Sequence, residues 1–212
     1  MSVRAAIGTM VAFVLLVGAV ILLWWDIDVR WRPHDLAKDS SQITALLQAA
    51  GWASSGGGPS KVYVVGVRDC LGCERLLRSD VPTLQKADVD VRVIVIAPPD
   101  VNGKPVSSPV ERATVAELWV NRSWALYQAW MAAIPTGWAA PGVPPADGDA
   151  ARTAVVAASR ALADKLTPLL AENGVAPTWP LVIWQSKDGT LEAASGDAPK
   201  TWTYMRRDLG AP

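Results

Sequence analysis

The chain has 212 residues with 20 basic and 20 acidic side chains, so it is formally neutral: long enough for one anchor and one domain with a real core, with no basic excess for a nucleic-acid partner and no acidic excess suggesting disorder. Two cysteines are too few for a disulfide scaffold, and the single histidine, His34, excludes a His-rich metal site and argues against a Cys-His hydrolase. Eleven tryptophans are many for this length, and indole rings serve a core, a membrane interface or a partner surface equally well.

Residues 5–25 (AAIGTMVAFVLLVGAVILLWW) carry no charge and are about as long as a helix needs to cross a hydrocarbon core of roughly 30 Å. Asp26 ends the run, and Trp24 and Trp25 suit an interfacial belt. The alternative is a cleaved signal peptide. The run exceeds the usual length of that segment and no A-x-A site precedes Asp26, so residues 1–25 are read as a transmembrane anchor contacting the lipid bilayer. Arg4 on one side and Arg30 and Arg32, offset by Asp26 and Asp28, on the other leave the orientation undecided by charge. The short leader favours an exported domain.

Residues 26–60 are expected to form a juxtamembrane helix and a flexible linker. The helix lies within residues 33–50, with Ile43, Leu46 and Leu47 on one face, and residues 54–60 (SSGGGPS) read as a joint. The folded domain is expected over residues 61–212. Residues 61–67 (KVYVVGV) form a buried strand, followed at once by Cys70-Leu71-Gly72-Cys73. A helix follows over 74–86, with Leu76, Leu77 and Leu84 apolar and Pro82 as a break. Residues 89–97 form a second strand and 98–109 a loop.

One long helix is expected over 110–133, with Leu118, Trp119, Leu126 and Trp130 near helical spacing; Trp119, Trp124 and Trp130 are assigned mainly to core packing. Residues 135–149 are loop. Asp147 and Asp149 read as a solvated turn, because the other ligands of a calcium loop are missing. A helix over 150–172 contains Pro168 and stops at Asn173-Gly174. Residues 181–185 and 191–194 are strands of a hairpin around Asp188-Gly189, and 200–209 form a last helix. The order implies an α/β fold with a mixed sheet: the first two strands parallel, the last two antiparallel, and a helical insertion at about 110–172.

The cysteine pair carries the chemistry. A thiolate is the nucleophile of disulfide exchange, and Cys70 sits where a strand ends and a helix begins, so the helix N-terminus favours the ionised form. Cys73, one turn on, is placed to resolve a mixed disulfide. Two other readings stay open: half of a zinc site shared in a dimer, and an inert disulfide, which a four-residue loop would stabilise little. Pro180, directly before an apolar strand, is a candidate cis proline, with Pro177 as competitor. Glu74 and Glu111 are candidates for proton transfer to Cys73, although a solvated role suits both.

These residues resemble the thioredoxin superfamily, and most nearly the catalytic domain of periplasmic disulfide isomerases of the DsbC and DsbG type. The resemblance covers about residues 61–209: KVYVVGV, Cys70-Leu71-Gly72-Cys73, VRVIVIAPP, the helical insertion, GVAPTWPLVIW, KDGTLEAASG and the last helix. It implies a thioredoxin-like sheet, Cys70 as nucleophile, Cys73 as resolving cysteine, and Pro180 as the cis proline with Trp179 beside it in the substrate groove. It implies no cofactor and no metal, protein thiols and disulfides as substrates, and a membrane redox partner. Expected localisation is the bacterial inner membrane, single-pass, with the domain in the periplasm. The alternative is a thioredoxin-like interaction module of a secretion or conjugation assembly. Several residues depart from the family pattern. Leu71 and Gly72 replace the usual aromatic or His, Trp179 replaces Thr or Val, and the dimerisation domain is missing. Asp69, which disfavours a thiolate, lies near Arg68 and Arg75, which offset it.

Overall fold

The computed structural model describes residues 3–212. They fall into two compact units, one ending at Arg32 and one spanning Pro33–Pro212. In the first, α1 (Val3–Trp24) continues into a π-helical turn, Trp25–Val29. Part of the expected anchor, residues 1 and 2 and the side chains of residues 3–9, 11 and 12, lies outside the described residues. Among the described residues no helix is long and apolar enough to cross a membrane. Those side chains of α1 that are described, Phe13, Leu15, Leu16 and Leu22 among them, are exposed. Arg30 pairs with Asp26 at 3.2 Å and lies over the rings of Trp25 and Trp31, 6.0 and 5.0 Å from their centroids.

The second unit is built from β1 (His34–Asp35), α2 (Ser40–Ala49), β2 (Ala53–Ser54), β3 (Lys61–Gly66), α3 (Leu71–Ser79), α4 (Val81–Lys86), β4 (Asp90–Val95), α5 (Pro109–Asn121), α6 (Trp124–Ala132), α7 (Ala150–Glu172), β5 (Leu181–Gln185), β6 (Leu191–Ser195) and α8 (Pro199–Asp208). The sheet order is β1-β6-β5-β3-β4-β2. β3 and β4 run parallel, with Val64 opposite Val93, and β5 is antiparallel to both β3 and β6. The central strands are almost uninterruptedly apolar because both faces are covered. Val62, Val64, Val91, Val93, Val182 and Trp184 pack with α3, α4, α5, α6 and α8. Their alternates Tyr63, Val65, Ile94, Leu181 and Ile183 pack with α2 and α7.

Four features differ from expectation. The domain does not begin at Lys61: Leu36, Ile43 and Leu47 belong to the core and β2 pairs with β4. The SSGGGPS segment is tied down, since Ser55 N–H donates to Val91 O, Gly58 N–H to Asp88 O, and Ser54 Oγ to Asp90 Oδ1 at 2.5 Å. The helix expected over 110–133 is two helices. Arg122 adopts a left-handed conformation (φ 55°), and the Ser123 side chain caps α6 by accepting from Leu126 N–H, an alternative partner that ends helical propagation. The helix after the cysteines starts at Leu71 and breaks at Asp80, not Pro82. Pro82 lies in the first turn of α4, where its missing N–H costs nothing.

Candidate active site

β3 ends at Gly66, a three-residue turn follows, and Cys70 is the N-cap of α3. Its extended backbone (φ −122°, ψ 98°) turns Sγ back over the helix, where it accepts the Cys73 backbone N–H at 3.1 Å. A sulfur in this place meets an N–H that has no partner within the helix and the positive end of its dipole. The cysteines form a disulfide with S–S 2.04 Å and Cα–Cα 5.1 Å. Both are largely buried, at 6 % and 5 % exposure, whereas Leu71 between them is 79 % exposed. Among the described residues no group of three or more His, Cys, Asp or Glu comes together as a metal-ligand set.

The second arm of the site arrives from far along the chain. The Trp179–Pro180 peptide is cis, and Pro177 is not. Pro180 is buried, Trp179 half-buried, and Pro180 O accepts the Gly196 N–H at 2.9 Å. The loop lies against the cysteine helix: a Cβ placed on Gly72 would meet Pro180 Cδ at 2.6 Å and Asp197 Cβ at 3.1 Å. Asp197 also pairs with Arg75 at 2.6 Å, bridging α3 to the segment after β6. A Cβ on Gly66 would lie 2.6 Å from Cys73 Sγ. The four residues named from the sequence, Cys70, Cys73, Trp179 and Pro180, thus share one end of the sheet.

Sequence reasoning missed Gly66 and Asp197. A glycine ending an otherwise Val-rich strand was a signal for close approach; Asp197 carried none. The two flanking arginines prove unlike. Arg75 is exposed and engaged by Asp197, whereas Arg68 is buried, its guanidinium donating to Ala133 O at 2.6 Å. Glu74 faces Arg68 at 3.9 Å and Arg78 at 3.4 Å. Glu111 closes a capping box with Ser108 at the start of α5, and burial first, with Asp69 nearby, raises its pKa. Asp147 is held by Arg112 at 2.8 Å and Asp149 caps α7, so both are structural. Trp130 is core, Trp119 packs at the sheet edge with its N–H on Val95 O, and Trp124 tilts against Tyr127. A cavity of about 1000 Å³ lies at the other end of the sheet, beside Lys61 and Gln185.

No protein-family model matches the chain, and no curated protein does. Solved structures do. A linker-deleted variant of ScsC from Proteus mirabilis aligns with TM-score 0.53 and 14 % identity, over 99 % of this chain and 97 % of that one. The catalytic domain of the same protein gives 0.52 and 15 %, over 83 % and 99 %. A periplasmic thioredoxin-like protein from Salmonella enterica serovar Typhimurium gives 0.51 and 18 %, over 81 % and 98 %. At such identities the likeness is one of fold, and it does not single out the DsbC or DsbG type. The second unit of this chain has a thioredoxin-like fold, with the Cys70–Cys73 disulfide at the start of its α3 helix.

Proposed function

We propose that the protein is a membrane-anchored thiol-disulfide oxidoreductase acting on protein substrates of the cell envelope. The observation that carries the reading is Cys70 Sγ on the N-cap of α3, accepting the Cys73 N–H, under the Trp179–Pro180 loop. When the pair is reduced, that N–H and the helix end favour the Cys70 thiolate over the thiol. The thiolate attacks one sulfur of a substrate disulfide and the other leaves as a thiolate. Cys73 then attacks Cys70 Sγ, restoring the internal disulfide and releasing the second substrate thiol. Run backwards, a substrate thiolate attacks Cys70 Sγ, Cys73 leaves, and a second substrate thiol takes the disulfide away. Two electrons move between sulfurs in either direction, so no cofactor takes part, and a membrane redox partner resets the pair. Trp179 and Pro180 flank the approach to Cys70 and are the proposed substrate-contacting residues.

Anchoring rests on the uncharged run of residues 5–25, on the continuity of α1 and on Trp24, Trp25 and Arg30 at its end. Tryptophan and arginine there match a membrane–water interface. Placing the domain in the periplasm of a bacterial inner-membrane protein is supported by a lone redox pair that suits an oxidising compartment. Insulin reduction by the full chain in detergent tests the activity: turnover is expected in the wild type and not in Cys70→Ser. Equal turnover in both, or none in the wild type, would overturn the reading. Anchoring is tested separately by alkaline carbonate washing of membranes, which should leave the chain in the pellet; release into the wash contradicts an anchor.

A further inference from the structure

Arg68 lies two residues before Cys70 and is only 4 % exposed. A buried guanidinium is expensive unless its charge and its five N–H groups find partners. Those of Arg68 are few. One terminal nitrogen donates to Ala133 O at 2.6 Å. The other reaches Met131 Sδ at 3.8 Å and stands 3.9 Å from Glu74 Oε1, beyond hydrogen-bonding distance. The face lies 5.7 Å from the Trp130 ring centroid, and Nε has no partner.

The remaining ionisable groups around it leave that charge incompletely matched. Glu74 is shared with Arg78. Glu111 on α5 and Tyr127 on α6 are both shifted by burial toward their neutral forms. Asp69, the neighbour in the turn, is exposed to water. Glu74 belongs to the first turn of α3, and four residues of helix rise by only about 6 Å, so the carboxylate that the guanidinium approaches is carried by the same turn that Cys70 caps. One further anion forms there, and only on reduction: the Cys70 thiolate.

We propose that Arg68 is a positioning residue whose buried charge stabilises the Cys70 thiolate, making the disulfide easier to reduce. This rests on the reading of Cys70 as the attacking cysteine. In the reaction with glutathione, two glutathione thiols supply two electrons and become glutathione disulfide. The Cys70–Cys73 bond breaks, Cys73 keeps a proton, Cys70 remains a thiolate two residues from Arg68, and one proton is released. Leu71 points to solvent and Gly72 has no side chain, so the residues between the cysteines bring no charge to the pair. Arg68, buried two residues before Cys70, brings it instead.

The test uses the full chain, reduced, in detergent. The rate of iodoacetamide alkylation is followed against pH, with mass spectrometry assigning the label to Cys70. Arg68→Met should move the midpoint upward by on the order of one pH unit and make the disulfide about tenfold harder to reduce with glutathione. Arg68→Lys should stay near the wild type, which a role limited to holding Ala133 O and stacking on Trp130 would not allow. Should Arg68→Met not fold, Arg68→Gln keeps a donor for Ala133 O without the charge and should shift in the same direction. Charge-removing variants that titrate with the wild type, or a lysine variant that titrates with them, overturn the proposal. Alkylation reads the thiol whether or not the pair exchanges disulfides, so it judges Arg68 independently. A wild type that does not exchange with glutathione counts against the oxidoreductase reading alone.

Discussion

A methyl group on Gly72 would sit 2.6 Å from Pro180 Cδ and 3.1 Å from Asp197 Cβ. Neither neighbour is the free end of a flexible chain, so the backbone would have to part. That contact explains why the second position between the cysteines has no side chain. Gly72→Ala is expected to lose about 1–3 kcal/mol in urea unfolding and to slow disulfide exchange at least tenfold, because the Pro180 loop moves off the cysteines. An alanine variant with wild-type rate and stability would show that the loop is not held by this contact. At the other end of the sheet, Glu192 feels the like charges of Asp208, Asp35 and Asp188, and Trp184 Nε1 donates to Asp208 at 3.2 Å. Burial first, then Asp208, pushes the Glu192 carboxyl from the usual 4.5 up to about 7. Folding therefore favours the protonated acid. The stability this contributes is fully present below about 4.5 and is lost as pH rises through about 7. The melting temperature of the wild type should fall between pH 5 and pH 8, and Glu192→Gln should flatten that part of the profile. A variant whose profile parallels the wild type would assign the loss to other groups.

Among the elements, the break between α3 and α4 has a structural cause. Asp80, 2 % exposed, accepts from Ser79 Oγ and from Arg206 of α8, fastening the cysteine helix to the C-terminal helix. Asp80→Ala would leave Arg206 without its partner and should cost about 3 kcal/mol of unfolding free energy; a loss below about 1 kcal/mol, the worth of an exposed pair, would mean that the pair is effectively solvated. The same elements show what was legible in advance. α7 and β5 fall where the pattern places them, since Asp149 and Asn173-Gly174 mark the helix ends and a strand covered on both faces reads as an unbroken apolar run. The α5–α6 break was not legible, because Ser123 reads as one polar residue in a helical pattern until its cap is seen. The order of SSGGGPS was hidden for another reason. Its partners, Val91, Asp88 and Asp90, are about thirty residues away, and composition speaks only of local freedom.

At the scale of the molecule, the site is assembled from three stretches: the end of β3 with the first turn of α3, the loop before β5, and the segment after β6. Local pattern reveals the first two, since a Cys-x-x-Cys after a strand and a proline before one are visible in sequence. The contributions of Asp197, Gly66 and the burial of Arg68 exist only once the sheet has brought these stretches together. The fold that does so is thioredoxin-like, and the proposed chemistry divides the labour between its cysteines, Cys70 attacking and Cys73 resolving. Adduct formation tests that division most directly. Full chains carrying Cys73→Ala or Cys70→Ala are incubated with glutathione disulfide near neutral pH and weighed intact by mass spectrometry. The Cys73→Ala chain is expected to gain one glutathione on Cys70 rapidly and hold it, having no resolving thiol, while the Cys70→Ala chain reacts at least tenfold more slowly. Equal rates in the two variants, or no adduct in either, would contradict it.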